Sequence, residues 1–240
     1  MEENKTIVKH VQVPDPNEYK GLKPTDKLVY ANIRRFMNKD TMTCYPSMST
    51  IAKFCDITEP TVKAAIKRLV KHGYIEILPE KHNSKNNIYK FKKLEKDFER
   101  FTDEFLDNPD LTPNEKAYLI GLQSQCYKNG QYAVTSYSNN AIANNLDISL
   151  NSVKKYNTSL KTKEIMQELK TVSFDENGFA KVVKAIDMAK IGQQVLFEVA
   201  INHEDRIQQL EVLVQKLMQE NKELNKKLEE KDGVQKEYSF

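Results

Sequence analysis

Long apolar runs are missing from this 240-residue sequence: none approaches the roughly 18 residues that a membrane-spanning helix needs. The first ten residues, MEENKTIVKH, are charged and hold no apolar core for export, which points to an intracellular protein. Cysteine is scarce. The three present, Cys44, Cys55 and Cys126, have neither CxxC nor zinc-finger spacing, so they suit a reducing compartment and argue against a metal site. Cys55 is expected to fill the core. Catalytic signatures are absent as well, with no glycine-rich phosphate loop, no G-x-S-x-G, no HExxH and no Cys/His pair at useful spacing. Tyrosine is plentiful, but the histidine cluster that would hold a nicking enzyme's metal is lacking. Neither an enzyme nor a cofactor is expected.

What the chain does have is charge gathered in one place. Lys and Arg number 37 against 34 Asp and Glu, a net +3, and a mean hydropathy of −0.65 with 39% hydrophobic residues describes a soluble, folded chain. Residues 20–100 hold 18 Lys and Arg against nine Asp and Glu, while the segments on either side are neutral or acidic. A basic domain joined to neutral or acidic ones is the footprint of a phosphate-binding module.

The chain also repeats itself. Leu22-Lys23-Pro24-Thr25-Asp26-Lys27 resembles Leu111-Thr112-Pro113-Asn114-Glu115-Lys116. Further on, Ile51-Ala52 returns as Ile142-Ala143, Asp56-Ile57-Thr58 as Asp147-Ile148-Ser149, Val62 as Val153 and Leu69 as Leu160. Two copies of one fold are expected, at about 20–95 and 109–186. In the first, Thr25 is the expected N-cap of a helix that turns Leu28, Val29, Ile33 and Phe36 to one side. Ser47 or Ser49 caps a short second helix. Thr58 caps a third, with Pro60 in its first turn, a buried stripe of Val62, Ala65, Ile66 and Leu69, and Gly73 at its end. Strands at 74–78 and 88–91 close the copy as a hairpin. In the second copy the strands fall at about 165–172 and 179–183, joined through the turn pair Asn177-Gly178.

The stretch YPSMSTIAKFCDITEPTVKAAIKRLVKHGYIEI, residues 45–77, resembles the winged helix-turn-helix domains of phage and plasmid replication initiators and replisome organisers. The likeness is strong over about a third of the chain and weak over the second copy. It implies double-stranded DNA as a partner and a cytoplasmic setting in a bacterial or phage-infected cell. It leaves replication and transcriptional regulation both open.

In such a unit the third helix enters the major groove with its N-terminal residues near base edges. Glu59, Thr61 and Lys63 are therefore the candidate base contacts, and Lys67, Arg68 and Lys71 the candidate phosphate contacts. The polar wing offers Lys81, His82, Asn83, Lys85 and Asn87. The equivalent helix of the second copy offers Asn151, Lys154 and Lys155, together with Lys161 and Lys163, but Tyr156, Asn157 and Thr158 dilute its charge. Its wing carries Asp175 and Glu176, so this copy serves either DNA or a protein contact.

From residue 185 to about 231 the sequence has no proline, and only Gly192 interrupts its helix-forming residues. Leu196, Ala200, His203, Ile207, Leu210, Val214, Leu217, Asn221, Leu224 and Leu228 alternate spacings of four and three. That is a coiled-coil heptad pattern, and a lone Asn221 at an a position favours a parallel, in-register dimer. Arg206 and Glu211 form an attractive g–e pair, whereas Leu213 and Met218 widen the apolar face enough for a trimer. The expected fold is thus mainly α with small β-hairpins: two tandem winged helix-turn-helix domains, then a long C-terminal helix forming a coiled coil. Its parts are an extended arm at 1–19, the first domain at 20–95, a linker at 96–108, the second domain at 109–186, the long helix at 187–232 and a tail at 233–240. Two functions fit. One is a dimeric duplex-DNA-binding protein of replication or transcription; the other is a non-enzymatic adaptor or structural protein of a virion or replisome, using the same surfaces for protein contacts. No membrane partner is expected.

Overall fold

The computed structural model describes residues 10–14, 21–79, 87–94, 98–129, 131–174 and 180–193, all within one compact unit spanning residues 1–197. The wing tip, the Asn177-Gly178 turn and the coiled-coil positions Ile207, Leu210, Val214, Leu217, Asn221, Leu224 and Leu228 lie outside the described residues.

The chain opens with strand β1 (His10–Pro14), in which Val11 and Val13 point inward. Helix α1 (Pro24–Arg34) follows. Its N-cap is Lys23 rather than Thr25, because Pro24 takes the first helical position, where no backbone donor is missed. Asp26, three residues in, accepts the Lys23 backbone N–H at 3.0 Å. Leu28, Val29 and Ile33 are buried as their spacing demands, but so are Tyr30, Ala31 and Asn32 on the other flanks. A helix buried all round lies between two layers.

After β2 (Thr43–Cys44), Ser47 caps helix α2 (Met48–Cys55) by accepting from the Thr50 N–H at 3.0 Å. The helix stops at Asp56, held in the left-handed region at φ 52°. A tight turn then starts helix α3 (Glu59–Lys71), with Pro60 in its first turn and Val62, Ala65, Ile66 and Leu69 buried. Gly73, at φ 75°, ends it as a left-handed cap. Strands β3 (Ile75–Leu78) and β4 (Ile88–Phe91) pair antiparallel, Ile75 opposite Phe91 and Leu78 opposite Ile88. The sheet order is β2-β4-β3. Two residues are too few to show a strand's alternation, so β2 leaves no signal in the sequence.

Next come strand β5 (Phe98–Thr102) and the short helix α4 (Asp103–Asp107), where a linker was expected at 96–108. Phe101, Phe105 and Leu106 are fully buried there. Strand β5 pairs antiparallel with β1, from His10–Thr102 to Pro14–Phe98, so part of the expected arm at 1–19 is sheet as well.

The first order of elements then recurs. It runs α5 (Pro113–Gln123), β6 (Tyr127–Asn129), β7 (Tyr132–Thr135), α6 (Asn139–Leu146), α7 (Leu150–Thr162), β8 (Met166–Phe174) and β9 (Ala180–Asp187). Helices α6 and α7 have the lengths of α2 and α3, eight and 13 residues. Asp147 repeats the left-handed turn of Asp56 at the same φ of 52°, and Glu164, at φ 56°, takes the place of Gly73. The second sheet has the order β6-β7-β9-β8.

Helices α1 and α5, which hold equivalent places in the two halves, pack along each other and supply both layers around themselves. Ionic contacts lock the joint: the Arg35 guanidinium donates to both carboxylate oxygens of Asp107 at 2.7 and 2.6 Å and lies 3.1 Å from Asp103. Lys116 Nζ donates to the Leu106 carbonyl at 2.7 Å. The expected helix beginning near residue 187 does not begin there. Ala185 and Ile186 are buried in strand β9, and residues 188–192 form a turn in which Gly192 adopts φ 76°. Gln193 then fixes the chain to the joint: its Oε1 accepts from the Thr102 N–H at 2.8 Å, and its Nε2 donates to the Arg100 carbonyl at 3.1 Å.

Candidate nucleic-acid interface

Helix α3 buries one stripe and leaves Glu59, Thr61, Lys63, Lys67 and Lys71 exposed on the opposite face. Thr61 shares its hydroxyl with that of Thr58 at 2.9 Å. Among the described residues Lys63, Lys67 and Lys71 have no hydrogen-bond or ion-pair partner. Three unpaired ammonium groups within about 12 Å of helix axis, at 1.5 Å per residue, form a strip that no carboxylate of the same half neutralises.

Arg68 does not belong to that strip, contrary to the expectation of a phosphate contact. Its Nε and terminal nitrogen donate to the two Asp26 carboxylate oxygens at 2.8 and 2.7 Å. Asp26 is 0% exposed, so the guanidinium is committed to a buried partner. Arg34 is likewise turned inward, donating to the Tyr30 hydroxyl at 2.7 Å and to Gln12 Oε1 at 3.2 Å. Part of the positive surplus in residues 20–100 is therefore spent inside the fold. Of the wing candidates, Lys81, His82, Asn83 and Lys85 lie outside the described residues. Asn87 stands half-buried at the base of the wing, 3.4 Å from the Tyr89 hydroxyl.

Sequence reasoning passed over two exposed groups of this half. Lys92 follows β4, and its Nζ lies beside Gly73, so it extends the cationic strip past Lys71. The period of two set by inward Tyr89 and Phe91 places Lys90 and Lys92 on the outer side, which was the available signal. Lys90 itself is paired with Glu76 at 3.5 Å, both exposed. Tyr45, 70% exposed, stands just ahead of α2.

The second half is built on the same plan with other chemistry. Asn151, Lys154 and Lys155 are exposed on α7 and unpartnered among the described residues. Lys161 is paired with Glu168 at 2.7 Å, and Lys163 with Glu115 at 2.6 Å. Asn157 does not dilute the outer face as expected but is 3% exposed; it accepts from the Tyr118 hydroxyl at 2.7 Å and donates to Asn139 at 2.9 Å. Tyr156 is half-buried with its ring 5.2 Å from that of Tyr118.

Glu115 is 2% exposed and accepts from the Thr112 N–H and hydroxyl, the Ser159 hydroxyl and Lys163. Burial alone would raise its pKa, but these donors outweigh burial and bring it down to about 2. Burial pushes the thiols of Cys44 and Cys55 up to about 12, and Cys55 fills the core beside α1. Among the described residues no cluster of His, Cys, Asp and Glu could hold a metal ion, and no helix is long and apolar enough to cross a membrane.

A family model described as a helix-turn-helix domain matches residues 20–75, from just before α1 to the first residue of β3. This segment is a helix-turn-helix domain. The domain supports DNA binding by the half that carries the strip of free lysines. The match stops short of the wing and does not extend to the second half. No curated protein matches the chain.

Proposed function

We propose that the protein binds double-stranded DNA by laying α3 of its helix-turn-helix domain in the major groove, in the service of replication initiation or, second, of transcriptional regulation. One observation carries this reading: Lys63, Lys67 and Lys71 stand exposed and unpaired on the face opposite the buried stripe. Glu59, Thr61 and Lys63 lie at the groove-facing end, where carboxylate and ammonium groups can accept from cytosine or donate to guanine. Lys67, Lys71 and Lys92 meet phosphates. The second winged helix, residues 109–186, brings Asn151, Lys154 and Lys155 toward the same or a neighbouring duplex.

The test is a duplex-binding titration in salt. Replacing Lys63 and Lys67 together with Ala should weaken binding roughly ten- to hundredfold at moderate salt. It should also reduce the slope of log K against log salt by about 1.8, at about 0.9 per phosphate contact. Unchanged affinity would sink the assignment.

The heptads at 207–228 hold two protomers together, so that half-sites are engaged jointly. Deleting 204–240 should convert a dimer to a monomer in a light-scattering mass measurement; an unchanged mass would refute the tail's role. The adaptor reading is favoured by α7, whose Lys161 and Lys163 are already paired. On that reading the chain would not be retained on heparin and would show no salt-dependent shift of duplex.

A further inference from the structure

The strongest ion pair of the helix-turn-helix domain lies behind the DNA-facing strip, and the second half holds a counterpart in the equivalent place. Asp26 and Glu115 occupy the same position in the first turns of α1 and α5. Each carboxylate caps its own helix, Asp26 through the Lys23 N–H and Glu115 through the Thr112 N–H. Each also reaches across to the third helix of its half. Asp26 receives both arms of the Arg68 guanidinium, and Glu115 receives Ser159 and Lys163. In the repeat Ser159 stands where Arg68 stands, and Lys163 where His72 stands. The partner chemistry has changed completely while the tie between the two helices has not. Below Arg68, the His72 ring lies so close over Gly21 that a Cβ on Gly21 would sit 2.5 Å from its Cε1. The end of α3 is thus held against the start of α1 at two points.

We infer that Asp26 and Arg68 are positioning residues for DNA recognition, setting the rotation of α3 about its own axis. Arg68 follows Lys67 directly and lies one turn from Lys71 and Ala64. A bidentate guanidinium–carboxylate pair fixes distance and plane together, which a single ammonium contact cannot do. With Arg68 anchored, Lys63, Lys67 and Lys71 leave the helix at fixed angles. Were the anchor lost, the same three lysines would share their contacts among several rotations. The inference rests on the proposed duplex binding and adds that Arg68 acts on DNA only through those lysines.

The experiment uses the full chain, the same salt-titrated duplex binding, and three variants: Arg68→Lys, Arg68→Gln and Lys67→Gln. Affinities are measured at a temperature where near-ultraviolet circular dichroism shows each variant fully folded, so a loss of stability alone does not move the result. The expected outcome is that Arg68→Lys and Arg68→Gln both weaken binding about five- to tenfold while leaving the salt slope unchanged. Lys67→Gln should lower the slope by about 0.9. If Arg68→Lys binds like the wild type while Arg68→Gln lowers the slope, Arg68 touches phosphate and the inference is overturned. If both variants bind like the wild type, the pair only stabilises the fold, and the inference fails while duplex binding stands. A wild-type chain that binds no duplex would instead overturn the proposed function itself.

Discussion

Phe101→Ala should destabilise both halves of the unit together, by about 3–5 kcal/mol, the usual cost of emptying a buried aromatic site. Phe101 is fully buried in β5, opposite Val11 of β1, with its ring 5.2 Å from that of Phe105. It sits in neither repeated half but in the joint between them. Helices α1 and α5 each bury flanks that only the other half covers, so neither half has a complete core without the joint. Calorimetry should therefore show one transition for residues 1–197, displaced downward by roughly 10 °C at about 2–4 °C per kcal/mol. Two transitions, with only one displaced, would show that the halves fold as separate domains.

The second large effect concerns acid. Glu115 has a pKa of about 2 in the folded protein against an ordinary value of 4.5. A carboxylate whose folded pKa is depressed adds stability that is complete above its unfolded pKa and is lost as pH falls through the folded one. The window here runs from about pH 4.5 down to about pH 2, and the contribution is on the order of 3 kcal/mol. Glu115→Gln should remove that contribution. Urea midpoints of wild type and variant should differ fully at pH 7, converge below pH 4.5 and meet near pH 2. A difference that stays constant with pH would mean that charge at Glu115 is not what ties α5 to α7.

The stripe of α3 was legible in the sequence because four apolar residues at helical spacing can lie on one face only. The left-handed stops were legible too, since Gly73 and the repeated Asp-Ile turns mark them locally. Arg68 was misplaced for a physical reason: spacing fixes the direction in which a side chain leaves the helix, but its partner Asp26 is 42 residues away in sequence. Asn157 was a different failure. The matches of Val62 with Val153 and of Leu69 with Leu160 already set it opposite buried Ile66, so the repeat contained the clue and residue polarity overrode it. The joint left almost no local trace. The alternation in HVQVP reads equally well as an extended arm, and its partner strand is supplied from beyond the whole first half. Of the candidate site, the exposed lysines were legible, whereas their support was not.

The pairing of β1 with β5 also bears on how the chain is made. His10 lies opposite Thr102, about 90 residues later. During vectorial synthesis the strand at the very start must wait, unpaired, until the whole helix-turn-helix domain has been translated. Closing so long a loop is costly and slow, so this pairing forms late relative to the local helical contacts. The nascent chain can thus have α2 and α3 packed while Tyr30 and Ile33 of α1 still await the residues that cover them. For that interval the protein is a helix-turn-helix with an open flank, and it is the period in which a chaperone or a second nascent copy would find apolar surface to hold.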